Sequence, residues 1–154
     1  MRKVFSIVSI LVVAAVVLQF YFAGLGVFSH PEDELFAVHG TAGRIVLPIL
    51  FLLSLITAAI ARAGKRTIWL TVIAILLLAL QTVILIVTGL IFNTGPDAAV
   101  IPLGATIVVS LHALNGVAIL LVTSIIAKRA WGPAWRSSST TDTALPDSAS
   151  VAAQ

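Results

Sequence analysis

The order of hydrophobic and polar residues divides this chain into four long apolar segments separated by short polar ones. The apolar segments cover residues 4–28, 38–61, 67–92 and 103–127. Each is longer than the roughly 20 residues that an α-helix needs to cross a hydrocarbon layer of about 30 Å. The pattern therefore predicts an all-α polytopic membrane protein with four transmembrane helices.

Short connections between these segments predict how the helices are arranged. Ala63, Gly64 and Lys65 leave room only for a tight turn, so the second and third helices should lie antiparallel. The other two connections are also short, which favours an up-down-up-down four-helix bundle. We therefore predict a transmembrane domain at 1–130. Residues 131–154, which end in a Ser-, Thr- and Ala-rich stretch, are expected to form a disordered cytoplasmic tail.

The distribution of charged residues predicts the orientation of the bundle. Every Lys and Arg except Arg44 lies before the first segment, between the second and third, or after the fourth. The remaining connections, 29–37 and 93–102, contain acidic residues and no Lys or Arg. Because Lys and Arg concentrate in cytoplasmic loops, both termini are expected in the cytoplasm. The net charge of +3 is thus explained by topology and does not indicate nucleic-acid binding.

Composition argues against a separate soluble domain and excludes chemistry that needs a thiol. Hydrophobic residues make up 60% of the chain and charged residues 10%, whereas soluble domains carry about 25% charged residues. The chain contains no Cys. Disulfides, thiolate metal sites and a cysteine nucleophile are therefore excluded.

Amide, imidazole and guanidinium side chains within the apolar segments are the candidate functional residues. A polar group in hydrocarbon costs several kcal/mol unless it has a partner. At about 1.5 Å per residue, each helix places one such side chain roughly 10–17 Å below the outer surface. These four side chains are Gln19, Arg44, Gln81 and His112. Two more candidates are His39, which lies closer to the surface, and Asn115, on the same helix as His112.

These residues share helix faces with small residues, as is typical where membrane helices contact each other. At 100° per residue, His112 lies on the same side of its helix as Gly116. His39 likewise shares a side with Gly43. Arg44 lies about 140° from His39, but its side chain is long enough to turn inward. We predict a polar layer that faces the bundle interior in the outer half of the membrane.

Hydrogen bonding within the bundle is the alternative explanation of this layer. Gln19, Gln81 and Asn115 are residue types that join membrane helices, with a stabilisation of about 0.6–2 kcal/mol. His112 could bond one of the glutamines in the same way. Arg44 could extend outward to the acidic loops or to lipid headgroups; otherwise a carboxylate or phosphate of a bound ligand would suit its guanidinium.

Two histidines on different helices, an arginine and flanking glycines are the parts of a b-type haem pocket. Imidazoles bind the haem iron, glycines let the flat macrocycle approach the backbone, and arginine pairs with a propionate. We therefore predict His39 and His112 as iron ligands and Arg44 as the propionate partner. Counting along the helices separates the two histidines by about 10 Å in depth, which argues against both binding one iron. The expected cavity lining is Gln19, Gln81, Asn115, Gly43 and Gly116.

Three short stretches carry a resemblance to known families: GLGVF at 24–28, HGTAG at 39–43 and LHALNG at 111–116. With them, the chain resembles an uncharacterised family of small four-span bacterial membrane proteins, which implies the bacterial cytoplasmic membrane. More distantly, the histidine placement is similar to the haem-binding four-helix units of haem A synthases and b-type membrane cytochromes. Those units carry a histidine pair on each ligating helix, so the single histidines here imply at most one haem.

Haem binding for electron transfer, or for support of a larger redox complex, is the function that the sequence favours. One alternative is a non-enzymatic accessory or scaffold subunit whose polar layer only joins the helices. A small transporter and a quinone- or lipid-binding protein are further alternatives. An enzyme is not favoured, because no acidic residue lies near the histidines. The expected partners are the lipid bilayer and other membrane subunits or a second copy of the chain.

Overall fold

The computed structural model describes residues 1–94 and 100–135, and all of the long elements in this part are helices. Each is long and apolar enough to cross a membrane. The prediction of an all-α, four-span protein is therefore confirmed. The helices are α1 (Arg2–Val27), α2 (Phe36–Ile60), α3 (Lys65–Phe92) and α4 (Leu103–Trp135).

The helices pack in a closed ring in which neighbours in sequence are neighbours in space. Helix α1 contacts α2, α2 contacts α3, α3 contacts α4, and α4 returns to α1. Gly26 near the end of α1 meets Phe36 at the start of α2. Arg129 near the end of α4 donates from Nε to Thr67 Oγ1 at the start of α3, at 3.0 Å. These contacts agree with the predicted up-down-up-down topology.

The two ends of the bundle carry opposite charges. At the acidic end, a 3₁₀ turn over Pro31–Asp33 connects α1 to α2 and holds two carboxylates. At the basic end, Arg2, Arg62 and Arg129 surround a common cavity. We use the names acidic end and basic end in this sense below.

The half of the bundle interior nearer the basic end is tightly packed and holds small hydroxyl residues. The side chains of Phe51 and Ala74 are almost fully buried there. Each helix adds one hydroxyl residue around a cavity of about 10 Å³, which is the space of one water molecule. Three of these hydroxyls donate to a carbonyl of their own helix. The four residues are Ser9, Ser54, Thr71 and Thr123.

Helix α2 is interrupted by one π-helical turn over Ala42–Val46. Pro48 has no N–H to donate to the carbonyl of Arg44, and its ring crowds that carbonyl. The Leu47 N–H instead bonds Ala42 O, five residues earlier. The distortion of this helix before Pro48 thus takes the form of a π turn, a feature that is frequent at functional sites.

Helix α4 extends beyond the predicted end of the transmembrane domain. It continues to Trp135, so residues 131–135 are helical. The rings of Trp131 and Trp135 stack at 5.3 Å, and Lys3 Nζ lies 5.1 Å from the Trp135 ring centre. The remainder of the predicted tail, 136–154, lies outside the described residues.

Candidate functional site

The structure brings the two histidines of the predicted site into direct contact. The ring centres of His39 and His112 are 6.1 Å apart, and the ring planes are inclined by 66°. The depth difference of about 10 Å expected from counting residues is not observed. That count assumed that every helix begins at the same level. Instead, His39 in the first turns of α2 lies level with Gln19, well inside α1.

His39 is oriented by a hydrogen bond to the main chain of α1. Its Nδ1 lies 3.0 Å from the carbonyl oxygen of Gln19. With the proton on Nδ1, this nitrogen donates to the carbonyl and leaves Nε2 with a free lone pair. The ring of Phe36 lies 5.4 Å away on the same helix and covers one side of the imidazole. A histidine held in this way is typical of metal-binding imidazoles.

The Gln19 side chain contacts the backbone of α2 where the π turn begins. When its amide oxygen faces α2, it accepts from the Gly43 N–H, and its amide nitrogen donates to His39 O at 3.2 Å. The buried Gln19 amide therefore links α1 to the backbone of α2 where the π turn begins.

Gln81 and Asn115 form a second polar pair between α3 and α4. Asn115 Nδ2 donates to Gln81 Oε1 at 3.0 Å and to the main-chain oxygen of Leu77 at 2.8 Å. Gly116 lies directly beside this pair. A Cβ at that position would lie 3.2 Å from Phe20 Cζ and 3.5 Å from Gln81 Nε2. The predicted interhelical role of the two amides is thus observed.

His112 differs from its neighbours because one of its nitrogens lacks a partner. Its Nδ1 is buried and makes no hydrogen bond to any residue that the structure describes. A buried polar atom without a partner costs about 1–3 kcal/mol, so such atoms call for a specific explanation. The unpaired atom lies in the ring that contacts His39.

Arg44 lies apart from the other candidate residues. Its side chain is exposed on the outside of the bundle, and its Nε donates to Gly40 O at 3.1 Å. A Cβ on Gly40 would lie only 3.2 Å from an Nη atom of Arg44, so the guanidinium lies close along this turn. The inward orientation considered from the sequence is not observed. The outward orientation toward the acidic end or the headgroups is the one that the structure adopts.

Protein side chains lie against the two glycines next to the histidines. Gly43 was expected to admit a flat macrocycle, and a Cβ there would lie 3.2 Å from the amide group of Gln19. Gly116 faces Phe20 and Gln81. Protein side chains therefore fill the space beside both glycines. Phe20 and Phe36 are site residues that sequence reasoning missed, because aromatic residues are common in membrane helices and give no distinct signal.

A double-mutant cycle will measure the contribution of the amide pair. We expect Gln81→Leu and Asn115→Leu each to destabilise the bundle, because each leaves the partner amide unpaired. The coupling energy should be about 0.6–1.7 kcal/mol, the range found for such bonds in membrane proteins. Unfolding of both single variants and the double variant in detergent, followed by circular dichroism, gives this energy. Strictly additive losses would mean that the bond contributes nothing.

Comparison with known proteins gives one finding for this site. Residues 19–89 match a family described as a family of unknown function (DUF6220), over somewhat less than half of the chain. The match begins at Gln19 and includes His39 and Gln81, but it ends before α4 and its histidine. No curated protein and no solved structure matches the chain. The resemblance to an uncharacterised family is thus supported, and the one to haem A synthases and b-type cytochromes stays a prediction.

Proposed function

We propose that this protein binds one b-type haem between α2 and α4 of a membrane-embedded bundle and takes part in electron transfer. The observation that supports this most directly is the contact of the two imidazoles, with ring centres 6.1 Å apart. Two imidazoles on opposite sides of one metal ion, each bonded at about 2 Å, have centres roughly 6 Å apart. The distance therefore suits bis-histidine ligation.

The composition of the site favours haem over a bare metal ion. Among the described residues, no three His, Asp or Glu side chains come together. A bare zinc ion usually takes three or four protein ligands. A haem iron needs only the axial ligands from the protein, and His39 and His112 are two such ligands. Bound haem would supply a one-electron carrier.

The residues around the histidines fit this proposal in part. The hydrogen bond from His39 Nδ1 to a main-chain carbonyl leaves Nε2 as the ligating atom. A macrocycle beside Gly43 and Gly116 requires that Gln19, Phe20 and Gln81 turn away from the glycines that they now contact. Arg44 lies at the outer surface, where it would meet only a propionate that extends out of the bundle.

A specific observation favours a second candidate, a non-enzymatic accessory subunit. Most of the polar layer is already paired within the chain: Gln19 with His39 and the α2 backbone, and Gln81 with Asn115. Such pairs join helices without any ligand. In this case only the unpaired His112 Nδ1 would remain to be explained.

The proposed location is the bacterial cytoplasmic membrane, with the basic end in the cytoplasm. The basic end holds Arg2, Arg62 and Arg129, whereas the described acidic residues lie at the opposite end. The excess of Lys and Arg on cytoplasmic loops supports this orientation. The histidine site would then lie in the outer half of the membrane.

A visible absorption spectrum of the detergent-purified protein tests the proposal. The protein is produced with a haem supply, and spectra are recorded after oxidation and after reduction with dithionite. We expect a Soret band with sharp α and β bands in the reduced state, at close to one haem per chain, because two imidazoles give a six-coordinate low-spin iron. A protein that is folded and colourless after haem supplementation would reject haem binding and favour the accessory subunit.

A further inference from the structure

A cavity of about 230 Å³ at the basic end is lined by arginines from three different segments. Arg2 comes from the start of α1, Arg62 from the turn between α2 and α3, and Arg129 from the end of α4. The volume is several times the roughly 30 Å³ that a water molecule occupies in the liquid. The cavity lies at the opposite end of the bundle from the acidic turn and is separate from the histidine site.

Arg62 occupies a position where glycine is the usual residue. Helix α2 ends in a Schellman motif, with bonds from Arg62 N to Ala59 O at 3.1 Å and from Ala63 N to Ala58 O at 3.0 Å. In this motif the residue after the helix end adopts the left-handed conformation. That residue is Arg62, with a φ of 51°. A residue with a Cβ is unfavourable in this conformation. Arg62 therefore lines the cavity from a turn whose backbone is strained.

Arg129 is held in place by a hydrogen bond that it donates to an adjacent helix. Its Nε donates to Thr67 Oγ1 at 3.0 Å, and Thr67 is buried. This bond uses one of the five N–H donors of the guanidinium and leaves its two terminal NH₂ groups for another acceptor. Such a fork matches the oxygens of a phosphate or carboxylate group.

The charges at this end are not balanced by acids in the described part of the chain. Glu32, Asp33 and Glu34 are its acidic residues, and they belong to the connection at the acidic end. Three arginines around one cavity therefore create a positive potential that favours an anion.

The aromatic residues next to the cavity place it at the level of the lipid headgroups. Trp131 and Trp135 stack on the last turns of α4, directly after Arg129, and Lys3 approaches the second ring. Tryptophans with neighbouring lysines are typical of the membrane–water interface. The phosphate layer of the membrane is thus the nearest source of anions.

We propose that this cavity binds a phosphoryl group, and that the group belongs to the headgroup of an anionic phospholipid. Basic pockets between transmembrane helices are a known type of site for such headgroups. The fixed Arg129 and the strained Arg62 distinguish this cavity from the scattered Lys and Arg residues that only set topology. Those residues need no common cavity and no fixed side chain.

Binding of short-chain lipids to the full-length protein in a nonionic detergent tests the proposal. Tryptophan fluorescence is followed during titration with water-soluble phosphatidylglycerol, phosphatidylcholine or inorganic phosphate. We expect saturable binding of phosphatidylglycerol and at least about tenfold weaker binding of the other two, because the choline cation of phosphatidylcholine offsets the charge of its phosphate, and inorganic phosphate has no acyl chains to hold it at the membrane. Equal or tighter binding of inorganic phosphate would retain the phosphoryl site but overturn the lipid as its source.

Matched variants separate a built site from general attraction to a basic surface. Arg62→Gln and Arg129→Gln should each weaken phosphatidylglycerol binding about tenfold. Lys128→Gln removes the same charge next to Arg129 but from a residue outside the cavity lining, and it should change binding less than about twofold. Equal effects of all three variants would overturn the proposal. If Arg129→Gln unfolds, Arg62→Gln decides, since Arg62 lies in the turn outside the helices.

Discussion

From the proposed haem binding, we expect that replacing His112 by alanine removes haem from the purified protein and abolishes the low-spin spectrum. An outer-shell partner of a metal ligand already contributes 10–100-fold in affinity, so the loss of an axial ligand should cost more than about 100-fold. His39→Ala should have a similar effect, because the imidazole of His39 is the only other one at the site. The measurement is the Soret absorbance per folded chain, with folding checked by circular dichroism and gel filtration.

Two further variants separate iron ligation from a structural role of His112. His30→Ala serves as the control, because His30 is exposed at the acidic end and should keep the full spectrum. Added imidazole should restore the six-coordinate spectrum of His112→Ala, since it replaces the lost ligand. A His112→Ala protein with unchanged spectrum and haem content would remove His112 from the ligand set.

Most of the fold follows from the sequence, because hydrocarbon imposes strict requirements on it. A spanning segment must be helical and long, so apolar length predicts the number and approximate position of all four helices. The boundaries are less predictable. Helix α4 continues to Trp135 although Gly132 and Pro133 are both unfavourable within a helix, so local propensity alone places its end too early. The distortion at Pro48 takes the form of a π turn over Ala42–Val46, and this form has no separate signal in the sequence.

The composition of the candidate site was predictable, and its geometry was not. Periodicity correctly indicated that Gln19, Gln81 and Asn115 meet other helices. The contact of His39 with His112 depends on the level along the bundle axis at which α2 begins, relative to the end of α1. This offset leaves no local signal in the sequence. The position of Arg44 on its helix is compatible with a side chain that turns inward and with one that turns outward. The hydrogen bond to Gly40 O, within its own helix, selects the outward position.

The cavity at the basic end illustrates the same limit. The charge pattern predicted that Arg2, Arg62 and Arg129 lie on one side of the membrane. The conformation of the turn after α2 and the bond to Thr67 determine that they surround one space. Both depend on which residues become neighbours after packing, and neither follows from charge spacing.

Gly26→Ala is expected to destabilise the bundle strongly for the addition of a single methyl group. A Cβ on Gly26 would lie 2.6 Å from Phe36 Cα and 2.8 Å from Phe36 Cβ. Neither of these two atoms can rotate away, so the start of α2 must shift. Overpacking of this kind costs about 1–3 kcal/mol. Because α2 carries His39 three residues later, the same shift should also weaken haem binding.

Gly24→Ala provides the matched control on the same helix. No atom lies within 4 Å of the position that its Cβ would take. The added methyl group should therefore be neutral or stabilise α1 by up to about 1 kcal/mol, the difference in helix propensity between Gly and Ala. Thermal unfolding in detergent should separate the two variants by about 1–4 kcal/mol in total. Equal unfolding midpoints would show that α2 moves freely relative to α1, and the contact between His39 and Gln19 would then not be held by the packing of Phe36 on Gly26.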